Sequence, residues 1–193
     1  MTGKTSFCQA VPLVINHDWS ATINKMQKMI QLEKHADMEP YGTADHFSLK
    51  SLGVLSKHWN SNSWYTFAGP TIFDTMPWLA NMLKYMSDLE PDDGAISFLT
   101  GDAGGHIDAV PDFTALNYIF YSTDPDANTW FQKDGMSECH NSDVGTAWII
   151  DTQARHGVQN SGTRYSLSIH FKVDYPTVKN WFASKTQQDL TFG

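Results

Sequence analysis

Residues 164–173 read RYSLSIHFKV, a run in which polar and apolar side chains alternate at every position. Because successive side chains of a strand point to opposite faces, the run predicts a β-strand with one apolar and one polar face. Two arrangements fit this strand. Its polar face either meets water, or it looks into a barrel that binds a charged ligand while the apolar face packs on helices.

The segments around this strand predict a sheet-rich fold. Further short β segments are expected at 10–15, 95–99, 113–122, 129–132 and 147–151, and apolar runs at 47–55 and 64–67 suggest a hairpin. Helices are expected at 19–35 with Asp18 as N-cap, from Thr75 to 89, and at 177–185. This order predicts a mainly β fold with flanking helices, of the sandwich or jelly-roll type.

The length of 193 residues and the 41% share of hydrophobic residues favour one domain that spans residues 1–193. Within it, residues 1–93 are expected to supply helices and strands that support the sheet. Residues 94–174 form the jelly-roll core, and residues 175–193 form a closing helix and tail.

The formal net charge of -8 argues against a nucleic-acid partner, because such proteins concentrate Lys and Arg to replace counterions. The two cysteines, Cys8 and Cys139, cannot form a disulfide framework, and no apolar stretch approaches the roughly 20 residues that cross a bilayer. The expectation is therefore a soluble cytoplasmic protein without a membrane partner. The sequence leaves the oligomeric state open.

The segment GGHID at 104–108 suggests part of a metal site. In an extended backbone the side chains of His106 and Asp108 project to the same face, and the preceding glycines permit close approach and an unusual turn. A third ligand must come from elsewhere, and the best candidate is His156, where the strand at 147–151 turns into another. Two imidazoles and a carboxylate leave three positions open on an octahedral ion, which suits Fe(II) with a chelating cosubstrate and O₂.

The order of motifs resembles that of the 2-oxoglutarate and Fe(II)-dependent oxygenases. Between about residues 98 and 173 the chain carries His-x-Asp at 106–108, Leu-Asn at 116–117, a Trp-containing strand, His-Gly-Val-x-Asn at 156–160 and Arg-x-Ser at 164–166. The resemblance implies a double-stranded β-helix, which is a cupin-like jelly roll. It also implies that His106, Asp108 and His156 hold Fe(II) at the catalytic centre.

The resemblance further implies that Arg164, assisted by Ser166, binds the distal carboxylate of 2-oxoglutarate. The chemistry agrees, because a guanidinium presents a planar fork to a carboxylate and stays charged when partly buried. Asn117 either lies near the cosubstrate or satisfies backbone groups in its strand. The short spacing from His156 to Arg164 leaves the branch open between prolyl and aspartyl/asparaginyl hydroxylase-like members.

The implied reaction is O₂-dependent hydroxylation of a C–H bond, with 2-oxoglutarate converted to succinate and CO₂. Asp108 favours hydroxylation, because halogenating relatives lack this carboxylate. The substrate class extends from small polar molecules to amino-acid or peptide side chains, and the entrance is expected at 60–70 and 124–143. Two alternatives are a cupin-like domain that binds a metal or organic acid without turnover, and a zinc or manganese isomerase or hydrolase.

Four other polar residues are given no role at the metal. His170 shares a strand face with Arg164 but follows it by roughly 20 Å, which predicts that it is too distant for the same ion. The pair Cys139 and His140 has no companion pair for a structural zinc site. Arg155 is expected at the surface, with a substrate carboxylate at the mouth as the alternative.

Overall fold

The computed structural model describes residues 6–35, 45–49, 53–57, 64–68, 71–92, 94–109, 111–141 and 143–193. Over these residues, the chain is mostly antiparallel β-sheet with helices before and after the main run of strands. In chain order, the strands are β1 (Cys8–Val11), β2 (Val14–Ile15), β3 (Asp45–Leu49), β4 (Gly53–Lys57), β5 (Trp64–Ala68), β6 (Ala95–Thr100), β7 (Ala103–His106), β8 (Thr114–Ser122), β9 (Asn128–Lys133), β10 (Met136–Asn141), β11 (Ala147–Asp151), β12 (Arg155–Gln159), β13 (Thr163–Phe171) and β14 (Thr191–Phe192).

Two sheets enclose the cavity of the protein. The larger has the strand order β1-β11-β8-β13-β6-β5-β4-β3, and the smaller has the order β10-β9-β12-β7. Side chains of both sheets line a cavity of about 630 Å³. This arrangement confirms the predicted jelly roll, that is, a double-stranded β-helix of the cupin type.

The helices cover the outer face of the larger sheet. They are α1 (Trp19–His35), α2 (Thr71–Thr75), α3 (Pro77–Tyr85) and α4 (Tyr175–Ala183), with a 3-10 turn at Ser87–Leu89. Their buried residues, such as Met82 and Phe182, share one hydrophobic core with Leu167, Ile169 and Phe171 of β13. The apolar face of β13 therefore packs on helices, as the second of the two predicted arrangements requires. No helix in the described parts of the chain is long and apolar enough to cross a membrane.

Two predicted helices are present, but they begin at other residues than predicted. The helix expected from Thr75 begins instead at Pro77, and Thr75 is the last residue of α2. Met76 separates the two helices with φ -135° and ψ 73°, because a following proline disfavours helical backbone at the preceding residue. The final helix begins at Tyr175, two residues earlier than predicted, since Asp174 caps it.

The remaining elements follow the predictions with specific exceptions. Helix α1 and strand β11 have the predicted bounds, and Ser20 N donates to Asp18 Oδ1 at 3.0 Å. The run at 47–55 falls partly in β3 and partly in β4. Strand β4 pairs with both β3 and β5, so the predicted hairpin extends to three strands. The segment 10–15 divides between β1 and β2. Strands β10 and β14 are formed where the sequence predicts none, and β7 ends at His106, short of the extended pair expected at 106 and 108.

Candidate metal centre and its cavity

Three side chains converge at one end of the cavity. Strands β7 and β12 pair so that His106 lies opposite His156, with ring centroids 4.4 Å apart. Asp108 Oδ1 lies 3.3 Å from His106 Nε2 and 3.7 Å from His156 Nε2. One donor atom from each residue falls within 4.8 Å of the other two, and no other group of this kind occurs among the described residues.

Backbone carbonyls orient both imidazoles. His106 Nδ1 is 3.1 Å from the carbonyl of Gly104, and His156 Nδ1 is 2.9 Å from the carbonyl of Ala154. Because a carbonyl oxygen only accepts, each Nδ1 carries the hydrogen and donates it. When an imidazole is neutral, its Nε2 then has the lone pair that a metal ligand requires, and His106 reaches this state by releasing the hydrogen that its Nε2 shares with Asp108.

Asp108 reaches the histidines from a loop, which corrects the expectation of an extended pair at 106 and 108. Strand β7 ends at His106, and Asp108 is placed by its N–H donating to the carbonyl of Thr152 at 3.2 Å. Gln153 Nε2 donates to the carbonyls of Asp108 and Asp112 at 3.4 and 3.1 Å. The turn between β11 and β12 thus fixes the carboxylate. Thr152 and Gln153 were missed in the sequence, since no local pattern marks a residue that holds a distant loop.

The titration of these groups follows from their mutual contacts. Burial alone would raise the pKa of Asp108, but hydrogen bonds from His106 and His170 and the nearby imidazole charges hold it well below its usual range. The same contact with Asp108 raises the pKa of His106 against the effect of burial. Burial lowers the pKa of His156. The site thus favours an ionised carboxylate beside at least one neutral imidazole.

The opposite part of the cavity carries one strong cation. Arg164 and Ser166 project from β13 and are 4% and 6% exposed, and burial lowers the pKa of Arg164 to about 10. The guanidinium therefore stays charged near neutral pH. No other Lys or Arg is found among the described residues that line the cavity. Asn117 also lines it, and its Oδ1 is buried without a hydrogen-bond partner in the described residues.

His170 lies next to the candidate metal ligands, so the prediction that it is too distant from them is wrong. Its Nε2 is 3.4 Å from Asp108 Oδ2, and its Nδ1 is 3.2 Å from Asp92 Oδ2. Burial would lower the pKa of His170, but hydrogen bonds to Asp108 and Asp92 raise it to about 10. The sequence estimate measured the distance from Arg164, whereas the three candidate ligands lie at the other end of β13. The alternating pattern of β13 could have predicted this position, since residues 164, 166, 168 and 170 share one face and all four line the cavity.

The remaining sequence candidates lie away from the cavity. Arg155 is exposed on the outer face of β12, beside Gly105, and is not a lining residue. Cys139 Sγ donates to Asn128 Oδ1 at 3.1 Å, and the ring of His140 packs on Trp148.

Among the described residues, those that line the cavity differ from the segments predicted for the entrance. Of residues 124–143, Thr129 is the one that lines the cavity in the described part of the chain. From the other expected segment, 60–63 and 69–70 fall outside the described residues. Ile107, Ala109 and Asp112 line the cavity instead, and Ile107 is 56% exposed.

The donor set fits a divalent first-row metal. Two neutral imidazoles and one carboxylate on a single side of an ion leave adjacent positions for other ligands, as in the 2-His-1-carboxylate sites of non-haem iron proteins. The charges also fit, since an ionised carboxylate lies among the imidazoles and the guanidinium of Arg164 lines the same cavity.

Comparison with solved structures finds proteins of similar architecture. An oxidoreductase of the 2OG-Fe(II) oxygenase family from Burkholderia pseudomallei aligns with a TM-score of 0.47 at 16% identity, over 58% of this chain and 70% of its own. A prolyl hydroxylase from Trichoplax adhaerens, in complex with a hypoxia inducible factor oxygen degradation domain peptide fragment, aligns with a TM-score of 0.54 at 10% identity, over 94% of this chain and 89% of its own. The chain shares the fold of the 2-oxoglutarate and Fe(II)-dependent oxygenases.

Other solved structures align with lower scores. An oxalate decarboxylase from Bacillus subtilis aligns with a TM-score of 0.41 at 16% identity, over 61% of this chain and 28% of its own. No protein-family model matches the sequence, and no curated protein matches it significantly. The alignment with the Trichoplax adhaerens prolyl hydroxylase shows a common fold alone, and the activity has to be argued from the site.

Proposed function

We propose that the chain is a 2-oxoglutarate- and O₂-dependent oxygenase that uses Fe(II) to hydroxylate a C–H bond. His106, Asp108 and His156 would hold the metal, and Arg164 with Ser166 would hold the distal carboxylate of 2-oxoglutarate. The observation that carries the proposal is that the three candidate ligands and one buried guanidinium line the same cavity. A dicarboxylate that chelates a metal at one end needs a cation of this kind at the other.

Fe(II) bound at this site would supply the activation of O₂ and the oxidation of 2-oxoglutarate to succinate and CO₂. The chain itself would bind and orient. The carbonyls of Gly104 and Ala154 would keep both Nε2 lone pairs directed at the metal, and the loop fixed by Thr152 would hold the carboxylate. Arg164 would set the direction in which the cosubstrate lies, and its burial would strengthen that contact by excluding water.

Asn117 is proposed to contact the cosubstrate. Its Oδ1 is buried and lacks a hydrogen-bond partner in the described residues, and an unpartnered buried amide is costly unless a ligand or water satisfies it. Asn117 pairs with Ser168 across β8 and β13, between Arg164 and the metal candidates. It therefore lies along the path that a cosubstrate bridging the two would follow.

The substrate class is a small polar molecule or an amino-acid or peptide side chain. The Trichoplax adhaerens hydroxylase was solved with a peptide, which makes peptides a first set to screen. The exposed Ile107 and the carboxylate of Asp112 would meet the incoming substrate, since both line the cavity.

The direct test is succinate formation. The purified chain would be incubated with Fe(II), 2-oxoglutarate and O₂, and succinate would be measured by mass spectrometry with and without amino acids and short peptides. We expect slow succinate release without substrate, faster release with a suitable one, and none from Asp108→Ala. Asp88→Asn, at an exposed carboxylate in the helical layer, is the matched control and keeps the wild-type rate.

The alternative, a cupin-like domain that binds a metal or organic acid without turnover, makes a different prediction. Such a domain binds Fe(II) and 2-oxoglutarate but leaves the amount of 2-oxoglutarate constant in air. Folded, metal-loaded protein that forms no succinate with any compound in the screen would favour this alternative and contradict the proposed activity.

A further inference from the structure

His170 stands between two carboxylates at the end of β13. Its Nε2 faces Asp108 Oδ2 at 3.4 Å, and its Nδ1 faces Asp92 Oδ2 at 3.2 Å. The side chain of Asp108 is 15% exposed and that of His170 is 30% exposed, so both are partly buried where they meet. The ring therefore links the loop that carries a candidate ligand to the segment that precedes β6.

Asp92 is fixed to the backbone of β13. The N–H of His170 donates to Asp92 Oδ1 at 3.0 Å, and the N–H of Asp92 donates to the carbonyl of His170 at 2.9 Å. The N–H of Gly94 also donates to Asp92 Oδ1, at 3.0 Å. These contacts leave Asp92 Oδ2 directed at Nδ1 of the imidazole, and this contact fixes the orientation of the ring.

The two oxygens of Asp108 have different neighbours. Oδ1 lies nearest to His106 and His156, whereas Oδ2 lies nearest to His170. We infer that His170, held by Asp92, is a positioning residue that occupies Oδ2 and so presents Oδ1 alone to the metal. The inference deepens the proposed function and rests on its metal site.

Two other roles for His170 fit less well. As a fourth ligand, its donor atoms would join the mutual cluster of ligand atoms, and they do not. As a purely structural ion pair, it would need only Asp92, whose side chain is 40% exposed and would add little stability. Neither role accounts for His170 Nε2 contacting Asp108 Oδ2, whereas Oδ1 makes the short contacts with His106 and His156.

The test uses full-length His170→Gln, His170→Asn and His170→Ala. The amide of Gln reaches to about the position of Nε2, so it can still donate to Asp108, whereas the amide of Asn replaces only Nδ1 and its contact with Asp92. We expect Ala and Asn to weaken Fe(II) and Co(II) binding, measured anaerobically by titration calorimetry, by about 10–100-fold. We expect Gln to restore most of that affinity.

The absorption spectrum of bound Co(II) would not change if His170 had only a structural role, so it distinguishes that role from positioning of Asp108. The ligand-field bands should change in Ala and Asn and return toward the wild-type shape in Gln. Melting of the metal-free variants monitors folding, and Asp92→Asn provides a second route if variants at position 170 do not fold. We expect Asp92→Asn to weaken binding by several-fold, because it removes the charge behind the ring.

The inference fails if all three variants at position 170 bind metal as the wild type does, or if Asn rescues affinity and Gln does not. The proposed function fails separately, if the wild type binds metal with this ranking of variants but forms no succinate. A wild type that binds neither Fe(II) nor Co(II) overturns both.

Discussion

The indole of Trp130 lies against Gly157, the residue that follows His156, and leaves no room there for a side chain. A Cβ on Gly157 would stand 2.7 Å from Trp130 Cζ2 and 2.9 Å from the carbonyl of Ala103. The same indole covers Gly105, the residue before His106, where a Cβ would stand 2.8 Å from Trp130 Cζ2. One ring thus packs across both strands that carry the candidate histidine ligands, and the glycines admit it.

Gly157→Ala is therefore expected to lower the free energy of unfolding by roughly 1–3 kcal/mol, because the clash involves backbone as well as the ring. Metal affinity should fall as well, since the strain lies next to His156. Chemical denaturation and metal titration measure the two effects. Gly104→Ala is the control, because its Cβ would meet no atom within 4 Å. Equal losses in the two variants would show that the packing of Trp130 has no special role.

Arg164→Lys keeps the charge but loses the planar fork. We expect the dissociation constant for 2-oxoglutarate to rise at least about tenfold, while metal affinity without cosubstrate is unchanged. Arg155→Lys, at the other arginine of the chain, lies on the outer face and is expected to bind 2-oxoglutarate as the wild type does. If the two substitutions weaken binding equally, Arg164 does not receive the distal carboxylate.

Asn117→Ala distinguishes the two roles that the sequence left open. If Asn117 contacts the cosubstrate, its loss raises the dissociation constant for 2-oxoglutarate several-fold. The free energy of unfolding without ligands would change by less than about 0.5 kcal/mol, because its Oδ1 makes no hydrogen bond within the described residues. A marked loss of stability with unchanged 2-oxoglutarate binding would instead support a backbone-satisfying role.

Asp174 should give helix α4 a pH-dependent stability. Hydrogen bonds from the hydroxyl and N–H of Thr177 lower the pKa of Asp174 below its usual value. A carboxyl group with a lowered native pKa stabilises the fold above its unfolded pKa of about 3.9, and this stability is lost as the pH falls through the native pKa. Asp174→Ala is expected to cost about 1 kcal/mol at neutral pH.

Asp174→Asn separates the charge from the cap, because Asn also caps helices but does not ionise. At neutral pH, the free energy of unfolding of Asp174→Asn, measured by chemical denaturation, should be close to that of the wild type. Below about pH 4 the wild type should lose stability relative to Asn, as its own carboxyl is protonated. Parallel losses in the two proteins would mean that Asp174 does not contribute through its charge.

Strong local patterns predicted the centre of the fold, and weak ones did not predict its edges. The alternation in β13 and the apolar run in β11 follow from burial on two faces, so their positions could be read directly. Strand β10 has exposed residues such as Met136 and Ser137 and lies at an edge of the smaller sheet. Its pairing with β9 depends on backbone hydrogen bonds, which leave little trace in residue type.

The sequence suggested candidate residues for the site but not how they are arranged. Residue type and order suggested His106, Asp108 and His156, but the pairing of β7 with β12 that brings the histidines together is a tertiary property. His170 shows the limit most directly. Its place along β13 could be estimated from Arg164, whereas its contact with Asp108 depends on a loop held by a distant turn.

Anaerobic titration of the Fe(II)-loaded chain with 2-oxoglutarate, followed by visible absorption, tests the central proposal most directly. If His106, Asp108 and His156 hold the metal and Arg164 holds the cosubstrate, a charge-transfer band should appear and saturate at one equivalent. The band should be absent in His156→Ala and should need more 2-oxoglutarate in Arg164→Lys. A folded, iron-loaded wild type that shows no band at saturating 2-oxoglutarate would contradict the assignment of this cavity.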